Sequence, residues 1–284
     1  MSTRRGSVLI LALWATSTLT MLTVTQTGML GTAWRLMERQ GETITAWQLA
    51  YQGFSRALDA LQSDEERGWD APVEDWGAWQ EEIQPEGAWR ARAEDDGGKI
   101  CVNTTPRSVL ARLPESSPAL AEAMTARRAE RPFRHLAELA FVPGVSAEQL
   151  RLWRSLLTPL GRGPVNVNSA SADVLEVLGL TRGAAERFVA WRRGGDGELG
   201  TADDHVIRDP GELADAAARV LRPGEAVVLT NLVASGDLGV QSRAFRIVAV
   251  SISVGPAKTS RSIVALVERG ARHATPVIRG WHED

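Results

Sequence analysis

Residues 6–34 contain no charged side chain, a run of twenty-nine positions in a chain of 284. Wound as one helix, that run would rise about 44 Å, more than the roughly 30 Å of a bilayer's hydrocarbon core. Arg4 and Arg5 precede it and Arg35 ends it. A basic amino side predicts a short cytoplasmic tail, with the bulk of the chain on the far side of the membrane. The run opens apolar from Val8 to Trp14, then takes threonine at 16, 18, 20, 23, 25 and 27. Two ordinary readings are a secretory signal cut near Ala15 and a plain single-span anchor. No small-x-small site follows the apolar centre, which counts against the first.

The helical pattern does not stop at the span. Ile44, Trp47, Tyr51, Phe54, Leu58 and Leu61 follow intervals of three and four, with Met37 continuing the seam backwards. Such a stripe predicts a helix packed along one face on the chain's own globular part. From Ser7 to Leu61 the rod would be about 80 Å long. The rest is globular: 44% apolar and 24% charged, with a formal charge of −3. A slightly acidic chain gives no electrostatic case for nucleic acid. The single cysteine, Cys101, excludes an intrachain disulfide.

A membrane helix running unbroken into an amphipathic stalk, behind Arg-Arg-Gly, resembles a type IV pilin-like protein. Within that superfamily the chain is most similar to the K-type minor pseudopilins of the type II (general) secretion pathway. The resemblance implies cleavage by a prepilin peptidase between Gly6 and Ser7, with N-methylation of Ser7. It also implies an inner-membrane protein with a cytoplasmic amino terminus and a periplasmic bulk, partnered by the I- and J-type minor pseudopilins. Most of the superfamily carries glutamate at the fifth mature position, where this chain has Leu11. K-type members lack that glutamate. A carboxylate in lipid is costly without a cationic partner, so Leu11 suits a subunit with nothing ahead of it, at the fibre tip.

Residues 64–88 are an acidic, Trp-rich connection. Trp89 to Glu94 alternates like a strand, Asp95-Asp96-Gly97-Gly98 is a hairpin-type turn, and Lys99 to Val102 reads as the return strand, burying Cys101. A repeat follows. Val102-Asn-Thr-Thr-Pro-Arg-Ser-Val-Leu matches Val167-Asn-Ser-Ala-Ser-Ala-Asp-Val-Leu at an offset of 65, which also pairs Arg127-Arg128 with Arg192-Arg193. Phe133 to Leu139 matches Ile207 to Leu213 at an offset of 74, so the second copy holds nine extra residues. Asn-Thr and Asn-Ser are good helix amino-caps, and tight turns at residues 142–145 and 178–180 complete a helix-hairpin-helix grammar. Such units often bind DNA, but Glu115, Glu148 and Glu186 lie close by and packing is the better use of the arginines. K-type pseudopilins resemble this arrangement too, inserting two such SAM-like halves into the pilin sheet.

The extra residues hold Asp196, Glu198, Asp203 and Asp204 on a glycine-bent loop. Oxygen-rich loops of this kind take calcium, and a solvated acidic turn is the plain alternative. K-type pseudopilins bind calcium in their helical domain, and the resemblance implies a calcium site in this loop.

The expected fold is α+β: a pilin-like amino-terminal helix on an antiparallel sheet, with a large inserted all-α domain. Its parts are a leader at 1–6, a transmembrane helix at 7–33, a stalk at 34–63 and the first part of the head at 64–101. The insert follows at 102–222, with units at about 102–160 and 166–222, and a β-rich end at 223–284 completes the head. Strands are expected at 244–254, 261–269 and 276–282. No nucleophile elbow, phosphate loop or zinc-protease motif is present, and His135, His205, His273 and His282 show no ligand spacing. The expectation is a non-enzymatic tip subunit that promotes pseudopilus assembly and protein export. The alternatives are a membrane-anchored DNA-binding protein of a DNA-uptake system and a secreted enzyme.

Overall fold

The computed structural model describes residues 3–66, 68–256, 258–270 and 275–283, and side chains from residue 9 onwards. A single helix, α1 (Thr3–Ser63), runs for 61 residues, about 92 Å, with its apolar outer half exposed. Met1, Ser2 and His273 lie outside the described residues.

The carboxyl half of α1 lies across a five-stranded antiparallel sheet built from β1 (Gln80–Gln84), β2 (Gly87–Asp95), β7 (Ala244–Ser253), β8 (Ser260–Glu268) and β9 (Val277–Glu283), in that order. The inner face alternates with period two: Trp89, Ala91 and Ala93 on β2, Phe245, Ile247 and Ala249 on β7, Ile263, Ala265 and Val267 on β8. The helix meets them through Ala46, Leu49, Ala50, Phe54, Ala57 and Leu61, all buried. Gly53 belongs to this face, because a Cβ there would stand 2.9 Å from the Trp89 ring. The stripe expected from bulky residues is therefore rotated. Phe54 and Leu61 are buried, but Ile44 and Tyr51 are each 58% exposed and Trp47 and Leu58 only half-buried. A helix that must lie close on a sheet does so through its small side chains.

Two expectations for the first part of the head are corrected. The connection at 64–88 contains β1, which pairs with β2 as a hairpin in the register Gln84↔Gly87. The segment after Gly98 does not return along β2. Instead β3 (Ile100–Cys101) pairs in parallel with β4 (Leu157–Thr158), and the true neighbour of β2 is β7, with Asp95 opposite Phe245.

Between Asp95 and Ala244 the chain leaves the sheet to form two helical units. The first holds α2 (Arg107–Leu110), α3 (Pro118–Glu130), a 3₁₀ turn (Leu136–Phe141) and α4 (Ala147–Trp153). The second holds α5 (Ala172–Leu178), α6 (Arg182–Arg192), α7 (Pro210–Val220) and α8 (Pro223–Ala234). It is bounded by β5 (Val165–Asn166), paired in parallel with β6 (Leu238–Gly239), just as β3 and β4 bound the first. Helix α8 corrects the boundary expected at 222: the insert continues through it, and Leu229 sits fully buried in the helical core. Capping differs as well. Ser171 caps α5 through the Val174 N–H, and Pro106 precedes α2, so neither repeat asparagine is an amino-cap.

Candidate functional site

The outer half of α1 presents only apolar side chains, hydroxyls and amides from Leu9 to Trp34, and among the described residues it is the one helix long and apolar enough to cross a membrane. Each threonine hydroxyl finds a partner inside the helix. Thr16, Thr20, Thr23, Thr25 and Thr27 all donate to the carbonyl four residues back, Thr20 to Thr16 at 2.8 Å and Thr23 to Leu19 at 2.8 Å. A hydroxyl satisfied this way does not need water, which makes a threonine-rich helix compatible with lipid. Leu11 is 68% exposed on this surface. Gly6 and Ser7 fall within the helical backbone of α1.

Where α1 meets the head, the displaced part of the stripe has its own setting. Trp47 and Tyr51 line an open groove of about 560 Å³ together with Ile263 and Trp281. Trp281 reaches from β9 to stand edge-on to Phe54, ring centroids 4.9 Å apart, and the Arg261 guanidinium lies 5.7 Å from the Trp47 ring. The six stalk residues thus divide between an internal contact and an aromatic surface open to solvent.

In the helical units the paired arginines turn inward. Arg128 donates to the carbonyls of Val102 at 2.8 Å and Thr105 at 2.7 Å. Arg192, only 2% exposed, donates to the carbonyls of Val167 and Ala170, the residues 65 positions further on. The structural counterpart of Arg128 is therefore Arg192, one place earlier than the sequence offset implies. Burial lowers both guanidinium pKa values, that of Arg192 to about 10. Arg127 is held near Glu138 at 3.6 Å and over the Phe133 ring. The repeat asparagines also correspond: Asn103 exchanges hydrogen bonds with the N–H and carbonyl of Phe133, and Asn168 does the same with Ile207.

The four loop acids do not converge. Asp203 accepts from the N–H groups of Gly195 and Asp196 and from the Thr201 hydroxyl, which together hold its carboxyl below the usual range. Asp196 accepts from the Glu198 N–H at 2.8 Å, and Asp204 Oδ2 from the Gly200 N–H at 2.6 Å. Among the described residues no three acidic, histidine or cysteine side chains form a group that could hold a metal. One feature does fit a cation: Asp204 Oδ1 is buried with no hydrogen-bond partner. His205 stacks on Trp191 at 4.7 Å, with Nδ1 against the Trp191 carbonyl at 2.8 Å.

One arrangement has no counterpart among the sequence expectations, a buried polar joint between head and insert. Asp70 accepts from the Ser242 N–H at 2.7 Å and from Arg269, which also reaches Asp64 at 2.8 Å. The Asp70 carbonyl accepts from Asn166 and Asn168 of the second helical unit. Asp95 accepts from Asn166 and Ser169, and Asp96 from Lys99 and Arg246. Burial pushes Asp70 up to about 6 despite Arg269, and it also raises Asp95. Nearby Glu74 is pushed up to about 8, by burial first and then by the charges of Asp64 and Asp70. Lys99 and Asp96 aside, the partners lie 71 to 205 residues apart in sequence, so no local pattern announces this joint.

No protein-family model and no curated protein matches this chain. Among solved structures it is similar to a chain of the GspK-GspI-GspJ complex from the type 2 secretion system of enterotoxigenic Escherichia coli, with a TM-score of 0.64 and 16% sequence identity. The match covers 88% of this chain and 99% of that one. At that identity the likeness is one of fold, and the chain has that fold: a long amino-terminal helix on an antiparallel sheet, carrying a large helical insert.

Proposed function

We propose that this chain is the K-type minor pseudopilin of a type II secretion system, a non-enzymatic subunit at the tip of a periplasmic pseudopilus that promotes pseudopilus assembly and export of folded proteins. The observation that carries the reading is α1, one unbroken rod whose outer half is uncharged and bears leucine, not an acid, at position 11. The rod spans the inner membrane with Arg4 and Arg5 on the cytoplasmic side, and the prepilin peptidase cuts between Gly6 and Ser7, leaving Ser7 to be methylated. The I- and J-type subunits pack along the stalk, where Ile44, Trp47 and Tyr51 remain available. The insert hinders any further subunit from adding above. Calcium at the 194–204 loop belongs to the same reading, and the unpartnered Asp204 oxygen supports it.

Amino-terminal sequencing of membrane-extracted protein tests the core of this reading. With the prepilin peptidase present the chain should begin at Ser7, and without it the leader should remain. A start near residue 16 in both strains would sink the proposal in favour of an ordinary signal peptide. Leu11→Glu tests the tip assignment: the variant should lose its restriction to the end of the fibre. The DNA-binding alternative finds little support, since Arg128 and Arg192 are committed to internal carbonyls.

A further inference from the structure

A cleft of about 640 Å³ opens where the two helical units meet the sheet. Its lining holds four bases, Lys99, Arg162, Arg208 and Arg243, against one acid, Asp209, in a chain whose overall charge is negative. The charges are unequally committed. Lys99 is spent on Asp96 at 2.7 Å, and the Asp209 carboxylate caps α7 through the Gly211 N–H at 2.7 Å. Arg208 lies over the Trp69 ring at 5.2 Å. Among the described residues no carboxylate pairs with Arg162, Arg208 or Arg243. Three unneutralised guanidinium groups on one concave surface focus positive potential, because low-dielectric walls confine the field.

We infer that this cleft binds an acidic peptide segment, whose carboxylates are taken by Arg162 and Arg243. A guanidinium presents a planar fork that matches a carboxylate in two parallel hydrogen bonds, so arginine is the residue such a ligand needs. The rest of the wall agrees. Gly163, where a Cβ would meet nothing within 4 Å, leaves backbone accessible to an extended chain, and Leu160 and Val233 give its side chains apolar contact. Nucleic acid suits the cleft poorly, because its lining contains no aromatic side chain on which a base could stack. The site is independent of the membrane rod and of the tip assignment.

The test uses the full chain in an uncharged detergent, with a fluorescein-labelled oligo-aspartate peptide read by anisotropy. Binding should be saturable and weaken as salt is raised. Arg162→Ala and Arg243→Ala should each weaken it about tenfold, the loss expected for one charge-assisted contact. Arg154→Ala, an exposed arginine outside the lining, should leave it unchanged, and an unaltered melting temperature keeps folding out of the comparison. Unlabelled peptide should compete far better than citrate. Absent binding, or binding indifferent to both Arg162→Ala and Arg243→Ala, would overturn the inference. So would citrate competing as well as the peptide, which would mark a small-anion site, or preferential capture of a DNA duplex.

Discussion

Asn168 shows how much a single side chain can hold. Its amide exchanges two hydrogen bonds with the Ile207 backbone at 2.9 and 2.8 Å and reaches the Asp70 carbonyl at 3.1 Å, all within buried surroundings. Asn168→Ala would strand the Ile207 N–H and carbonyl, each at about 1–3 kcal/mol, while the Asp70 carbonyl keeps Asn166, so a loss of about 3 kcal/mol in urea unfolding is expected. The buried acids set a pH dependence. Glu74 is raised from 4.5 to about 8, so the folded state holds a proton that the unfolded state has released. Its stabilising contribution is complete below pH 4.5 and is lost as pH rises through 8. Asp70 acts in the same direction between 3.8 and about 6. The melting temperature should therefore fall from pH 5 to pH 8, and Glu74→Gln should flatten the upper part of that fall; a rise over this window would contradict the assignment. In sequence the repeat asparagines were visible as a pair, but not their work. They look like helix caps because Asn precedes a helix, while the bonds they make are to a loop thirty or more residues away.

At the scale of elements, period alone located the rod, and the duplicated helices were legible from the offset of 65. The face that α1 buries was not. Sequence patterns weight bulky apolar residues, whereas close helix-on-sheet contact depends on Ala46, Ala50, Gly53 and Ala57, which carry little hydrophobic signal. Gly53→Leu would drive side-chain atoms into Trp89 and should cost about 1–3 kcal/mol or more. Helix α8 lies beyond the boundary expected at residue 222, and its place is set by Leu229, which packs into the helical core far along the chain from most of its partners. Leu229→Ala should destabilise the protein by about 2–5 kcal/mol, measured by chemical unfolding. The acidic loop makes a separate prediction. If Asp204 takes calcium, saturating ion should raise the melting temperature, as binding to the folded state alone stabilises it by about 2.7 kcal/mol at a hundredfold excess over Kd. Asp204→Ala should abolish the rise, and an unchanged wild-type melting curve would count against a bound ion.

For the whole molecule, the α+β plan and the position of an insert inside a pilin-like sheet follow from the sequence. The pairing of β2 with β7 does not, because the two strands are separated by nearly 150 residues. That pairing has a mechanical outcome. The chain departs after Asp95 and re-enters at Ala244, and the N–H groups of Asp96 and Gly97 both bond the Ala244 carbonyl at 2.9 Å. Entrance and exit are therefore side by side, on strands already zipped together by their own ladder. A load carried from α1 into the sheet therefore has a direct path across those strands, through their own ladder. The insert hangs from the frame at that one doorway, braced there by the bonds of Asn166 and Asn168 to the Asp70 carbonyl.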